Sequence, residues 1–368
     1  MKYILFCLIF IVSMNAAAMD LPKGRGALLY DAISKTGPAG PKPKDPGHWI
    51  PNIKAFNAEV TTGKKISCLY PYAGDVEMYC TNPSNCVYSG PKKNVFVYYN
   101  AGLASIKAYH DAFPTAKMLP IIDGVIKGSL LKALQYPEIG TKTAALVAGQ
   151  VCKNPSIDGI FFDLEPFDIS MPGQFSFYKE ILKQFKSEIC IDTKHPDGRS
   201  FGMFLHPHKV TDWDKMSEVL GDIGFVAVSA YDIQDSMPPV PTPMKQYKAG
   251  VRNMLEIMDA KSQIYKIAYR VVLPWASSFG EFNQYGLYDP SNPPSDFKLI
   301  KDYTSEGLTQ VAYVKAAHEI MKAVCKSPYY LGMDGWSWTQ YKSPKPKEGQ
   351  LLLPVIPEGE VVEYLQKN

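Results

Sequence analysis

Short apolar runs with strand character alternate along this chain with stretches whose apolar residues recur at helical spacing. The strand candidates are Lys65 to Tyr70, Asn94 to Tyr99, Lys117 to Ile122, Asp158 to Glu165, Ser200 to His206, Gly224 to Tyr231, Lys266 to Pro274 and Leu331 to Trp338. Between them lie helical patterns, among them Thr141 to Cys152, Gln174 to Ile189, Thr211 to Leu220, Pro243 to Met258 and Thr309 to Cys325. Regular alternation implies a parallel sheet with crossover helices, and about eight such units close into an α/β fold, a (β/α)8 barrel of TIM type in a single domain. The first strand is open between Ala27 to Ile33 and His48 to Phe56, and Cys68 to Tyr88 reads as a hairpin outside the repeat. An open doubly wound sheet is the alternative, but no Gly-rich phosphate loop of the dinucleotide type follows any early strand.

One strand carries acids where a barrel of this kind does its chemistry. Ile157 to Asp168 reads I-D-G-I-F-F-D-L-E-P-F-D, apolar in its first half and ending in Asp163 and Glu165. Side chains alternate faces along a strand, so Phe161, Asp163 and Glu165 share one face, with the two acids' Cα atoms roughly 7 Å apart. Both carboxylates can reach one ligand. The other strand ends bring Asp123, then His206-Pro207-His208, Tyr231-Asp232, Trp275, and a segment with Trp336 and Trp338 to the same face of the barrel.

The spacing Asp158, Gly159, Asp163, Glu165 resembles the strand-four motif of glycoside hydrolase family 18, the chitinases and endo-β-N-acetylglucosaminidases, written D-G-x-D-x-D-x-E. Tyr231-Asp232 is similar to the family's strand-six pair, and Gly332 to Trp336 to its strand-eight segment ending in Trp. The resemblance implies hydrolysis of β-linked glycans containing N-acetylglucosamine (chitin-like, peptidoglycan or N-glycan), with the substrate's own N-acetyl carbonyl attacking. It implies Glu165 as general acid and then base, Asp163 as the group that orients the acetamido arm, and Tyr231 as a donor to its carbonyl. Trp336 or Trp338 would floor the sugar ring, and Asp232, His206, Trp275 and Tyr285 complete the expected binding set. No cofactor and no metal are expected.

Phe161 departs from the motif, which has an Asp there. In the family that Asp sits beneath the next one and can share its proton. Phe161 instead packs the barrel interior and makes the surroundings of Asp163 less polar, which raises a carboxyl's pKa. A catalytically impaired, lectin-like glycan-binding protein is therefore one alternative. Another is a glycosidase with a protein nucleophile. A third is a metal-dependent hydrolase using His206 and His208, although the further ligands such a site needs are not apparent. Asp158, of opposite parity to Asp163, reads as structural. The long loop Ala276 to Gly307 carries Phe279, Phe282, Tyr285, Tyr288, Phe297 and Tyr303, suited to stacking on sugars.

The first residues and the cysteine count lead to the expectation of a protein outside the cytoplasm. Residues 1–18 have Lys2, an apolar run and then Ala16, Ala17 and Ala18, the layout of a signal peptide cleaved after Ala18. A Pro/Gly-rich arm (19–47) is expected next, then the barrel (48–368) with a C-terminal tail (342–368) whose segment Leu351 to Leu365 docks on the barrel's outside. Cleavage removes Lys2 and lowers the formal net charge from +3 to +2, a balance that argues for neither nucleic acid nor a membrane surface. No later run is long and apolar enough for a membrane anchor, so a secreted or periplasmic monomer with a carbohydrate partner is expected. Cys68, Cys80, Cys86, Cys152, Cys190 and Cys325 remain, an even number that favours disulfides in an oxidising compartment; Cys80 and Cys86 enclose a turn suited to a local bridge.

Overall fold

A computed structural model describes residues 21–29, 33–34, 42–43, 49–82, 84–101, 106–231, 233, 242–275, 307–336, 338, 357 and 359–368. Eight strands run parallel: β1 (Gly24–Leu29), β2 (Ile66–Cys80), β3 (Ile121–Val125), β4 (Gly159–Glu165), β5 (Ser200–Leu205), β6 (Gly224–Ser229), β7 (Ala268–Pro274) and β8 (Tyr330–Trp336). They pair in chain order, and β1 closes the ring by pairing with both β8 and β2. This is a single-domain (β/α)8 TIM barrel. The helices are α1 (Trp49–Ala58), α2 (Ile106–Ala112), α3 (Gly128–Ala133), α4 (Pro137–Val151), α5 (Pro172–Phe185), α6 (Trp213–Leu220), α7 (Met244–Tyr265), α8 (Gln310–Val324) and α9 (Gly359–Lys367).

The elements form where local chemistry and burial agree. Strands β5 and β6 are buried along their whole length because one face lines the barrel and the other meets helices. On the outer face of β4, Phe162 packs edge-on against Phe177 and Tyr178 of α5, at 5.1 and 5.7 Å between ring centroids. Asp212 caps α6 by accepting from the Lys215 amide at 3.0 Å, and Thr309 caps α8 by accepting from the Ala312 amide at 3.2 Å.

Three expectations about the early chain need correction. The first strand is Gly24–Leu29, which shares Ala27 to Leu29 with the first option but starts earlier, inside the stretch read as an arm. His48 to Phe56 is not strand, because α1 begins at Trp49. Cys68 to Tyr88 is not a separate hairpin either. Strand β2 is continuous; its first part pairs with β1 and β3, and beyond the rim it pairs antiparallel with the strand Val95–Ala101, which stands outside the barrel.

The barrel interior is filled in layers. Phe161 is 1% exposed and meets Tyr70 edge-on at 5.2 Å and Phe225 at 6.3 Å. It fits because Gly202 stands opposite; a Cβ there would lie 2.7 Å from the Phe161 ring and 2.4 Å from that of Phe225. Nearby, Arg270 is clamped by Asp334 through two bonds of 2.7 Å, and its guanidinium also donates to the carbonyls of Pro22, Gly24 and Met333. Burial alone would lower the Arg270 pKa, but the Asp334 charge more than reverses this and holds the cation charged.

Two disulfides, Cys80–Cys86 and Cys152–Cys190, tie the outside, the first as expected; Cys68 and Cys325 are free and buried. Helix α9 buries Val361 and Leu365 and is held by Arg25, which donates to the Leu365 carbonyl at 2.7 Å. Among the described residues no helix is long and apolar enough to cross a membrane. The expected signal peptide lies outside the described residues.

Candidate active site

The C-terminal ends of the strands form a cup with two unlike halves. Strand register places Asp75 of β2 beside Asp123 of β3, and Asp123 beside Asp163 of β4. Register partners in a parallel pair lie at one height and on one face. Three half-buried carboxyls therefore form a row across adjacent strands. The Tyr72 hydroxyl donates to Asp75 and lies 3.4 Å from Asp123. Burial, and then the Asp75 hydrogen bond, push its pKa far up, so Tyr72 stays a donor.

Glu165 stands one step above Asp163 on the same face of β4, in register with Val125. It is exposed at the rim, yet the walls of the mouth desolvate its carboxyl and raise its pKa; the positive charge of Lys209, just after β5, pulls the other way.

The other half of the cup is aromatic. The His206 ring lies edge-on to Phe204 at 5.7 Å, Phe204 meets Tyr231 at 6.2 Å, and Tyr231 stacks on Trp336 at 5.3 Å with 29° between planes. Tyr231 is set by the end of β6: the Ser229 hydroxyl donates to its carbonyl and accepts from its amide, and Tyr247 of α7 donates to the Ala230 carbonyl at 2.6 Å. The structure thus brings Asp163, Glu165, His206, Tyr231 and Trp336 to one mouth.

It does not bring all the expected residues there. Trp275 is fully buried, lies against Gly335 (a Cβ on which would fall 1.8 Å from the indole) and accepts at its carbonyl from Gln310. Trp338 is 5% exposed between Phe56 of α1 and Trp275, with its amide donating to the Leu28 carbonyl. Both are enclosed in the packing of the barrel wall. Strand β8 ends at Trp336, so the alternation that pairs 336 with 338 stops before it applies. Asp232 and Tyr285 lie outside the described residues.

Asp158 points away from the mouth, as its parity requires. It accepts from the Met118 amide at 2.7 Å and meets His195 at 3.0 Å and Lys194 at 3.2 Å. Burial would raise its pKa, but the His195 bond, the Met118 amide and Lys194 together bring it below the usual carboxylate range. Tyr72, Asp75 and Lys209 were not among the expected site residues. Tyr72 and Asp75 sit on the part of β2 that reads as a hairpin, and only the strand register shows them facing Asp123. Among the described residues no three His, Cys, Asp or Glu side chains are arranged to hold a metal ion.

Neither a protein-family model nor a curated protein matches the sequence. Solved structures match its shape. A glycoside hydrolase family 5 mannosidase from Rhizomucor miehei superimposes with a TM-score of 0.52 at 13% identity, over 94% of this chain and 92% of its own. A protein assigned as an α-L-fucosidase from Bacteroides thetaiotaomicron does so at 0.50 and 11% identity, over 99% and 98%. A family 18 chitinase from Pseudoalteromonas aurantia reaches 0.42 at 14% identity, over 85% and 94%, too low to weigh in choosing a family. The likeness is one of fold: the chain is a TIM barrel of the kind found in glycoside hydrolases of several families.

Proposed function

We propose that the protein is an exported glycoside hydrolase that cleaves β-linked glycans containing N-acetylglucosamine by substrate-assisted, retaining acid/base catalysis. The observation that carries this reading is that Glu165 and Asp163 share one face at the end of β4, in a barrel whose β6 and β8 ends carry the Tyr231–Trp336 stack. Glycoside cleavage needs a proton for the leaving oxygen and a stabiliser for the positive charge growing at the anomeric carbon. Glu165 delivers the proton and later takes one from water. Asp163 accepts from the acetamido N–H, so that the acetamido oxygen closes on the anomeric carbon, while Tyr231 donates to that oxygen and Trp336 floors the ring.

The raised pKa of Glu165 suits this work. An acid must hold its proton to deliver it, so a carboxyl pushed upward stays competent at higher pH than an ordinary Glu. Lys209 opposes the shift. Lys209→Met is expected to move the alkaline limb of the kcat/KM profile to higher pH; an unmoved limb would show that Glu165 is not the titrating acid. Trp336→Ala is expected to raise KM roughly tenfold, about the value of one lost aromatic contact, and steady-state kinetics on a soluble oligosaccharide reads this directly.

The direct test of mechanism is dependence on the N-acetyl group. Turnover of 4-methylumbelliferyl N-acetyl-chitooligosaccharides but not of the cello-oligosaccharide counterparts is expected, whereas equal turnover of both points to a protein nucleophile. Phe161 favours a second reading, a glycan-binding relative without catalysis. Tight sugar binding without turnover, unchanged in Glu165→Gln, would select it.

A further inference from the structure

We propose that Asp123 is a positioning residue for Asp163: it carries the proton that the two share, from the neighbouring strand, where residue 161 of Asp163's own strand offers none. The proposal rests on the reading of Asp163 as the group that receives the acetamido arm.

The geometry begins with register. Asp123 and Asp163 are Cα partners on adjacent parallel strands, which run about 4.8 Å apart with partner side chains on one face. One step below, the partners are Ile121 and Phe161, both fully or almost fully buried. The carboxyls therefore stand on an apolar floor, where two like charges side by side cannot both be kept and one group holds a proton.

Position in the row decides which group that is. Asp123 lies between Asp75 and Asp163, so it has a carboxyl in register on both neighbouring strands. The Tyr72 hydroxyl donates to Asp75 at short range and reaches Asp123 only at 3.4 Å, so it supports the charge mainly at the Asp75 end. Protonated, Asp123 becomes a donor to Asp163. That bond occupies one oxygen of Asp163 and aims the other at the acetamido N–H, and the pair keeps a net charge of −1 throughout. Among the described residues, Glu165 stands one step above Asp163 on the same face, Lys209 after β5 acts on Glu165, and the Tyr178 hydroxyl of α5 feels the Asp163 charge.

The test is a carbon-13 titration of the Asp side-chain carboxyls in the mature protein, with Asp123 and Asp163 assigned by substitution. The parent is expected to show Asp163 titrating in two steps separated by more than about 1 pH unit, shared with Asp123. In Asp123→Asn a single step remains at Asp163. An Asp163 titration identical in parent and Asp123→Asn overturns the proposal. Activity adds a second readout: Asp123→Asn is expected to lower kcat at least tenfold with little change in KM, and adding Phe161→Asp restores part of the loss by placing a carboxyl beneath Asp163. Equal kcat and pH profile in parent and Asp123→Asn also overturn it. If the parent cleaves no N-acetylated glycan, the hydrolase reading fails, while the titration still decides the pairing.

Discussion

Replacing Glu165 by Gln is expected to lower kcat on N-acetylated chitooligosaccharides by roughly 10²- to 10⁴-fold, the range for loss of a general acid, with binding nearly unchanged. Gln keeps the size of Glu and its capacity to hydrogen-bond, so the mouth of the barrel keeps its shape. It has no proton to deliver to the leaving oxygen and cannot take one from the attacking water. Both halves of the reaction fail. The loss should appear in kcat and kcat/KM together, because the interaction exists only in the transition state. A loss confined to KM would instead make Glu165 a binding residue.

The second large effect is on stability. Asp334→Ala is expected to destabilise the protein by about 3–5 kcal/mol, because it strands the buried Arg270 cation inside the barrel. Arg270 and its partner are both inaccessible to solvent, and the remaining acceptors are neutral carbonyls. A urea or thermal denaturation series on the purified protein measures this. The double variant Arg270→Met/Asp334→Leu, which removes both charges, is expected to recover much of the loss. A single variant as stable as the parent would show that the pair is not what holds that layer.

The fold was legible because alternation of strand and helix is written over long stretches, and the acids of β4 because strand parity is a local rule. Phe161 was legible for the same reason, and it does pack the barrel interior. What failed needed non-local information. Strand β2 runs through Pro71 and Gly74, and its register with β3 shifts between Tyr72 and Gly74; pairing carries the strand through that irregularity. The neighbours of Asp123 are set by register between strands far apart in sequence. Trp275 follows a strand end, where alternation no longer fixes direction, and the alternation read through Trp338 stops at Trp336, where the strand ends. Each found an apolar niche, Trp275 over Gly335 and Trp338 against Phe56.

The central claim is that this mouth cleaves N-acetylated glycans with Glu165 as acid. The measurement that tests it most directly is fluorophore release from 4-methylumbelliferyl N-acetyl-chitooligosaccharides and from N-glycan and peptidoglycan fragments, across acidic to neutral pH. The account predicts turnover of at least one of these by the parent and its loss in Glu165→Gln. No turnover of any of them by a folded protein that binds the same sugars would contradict it.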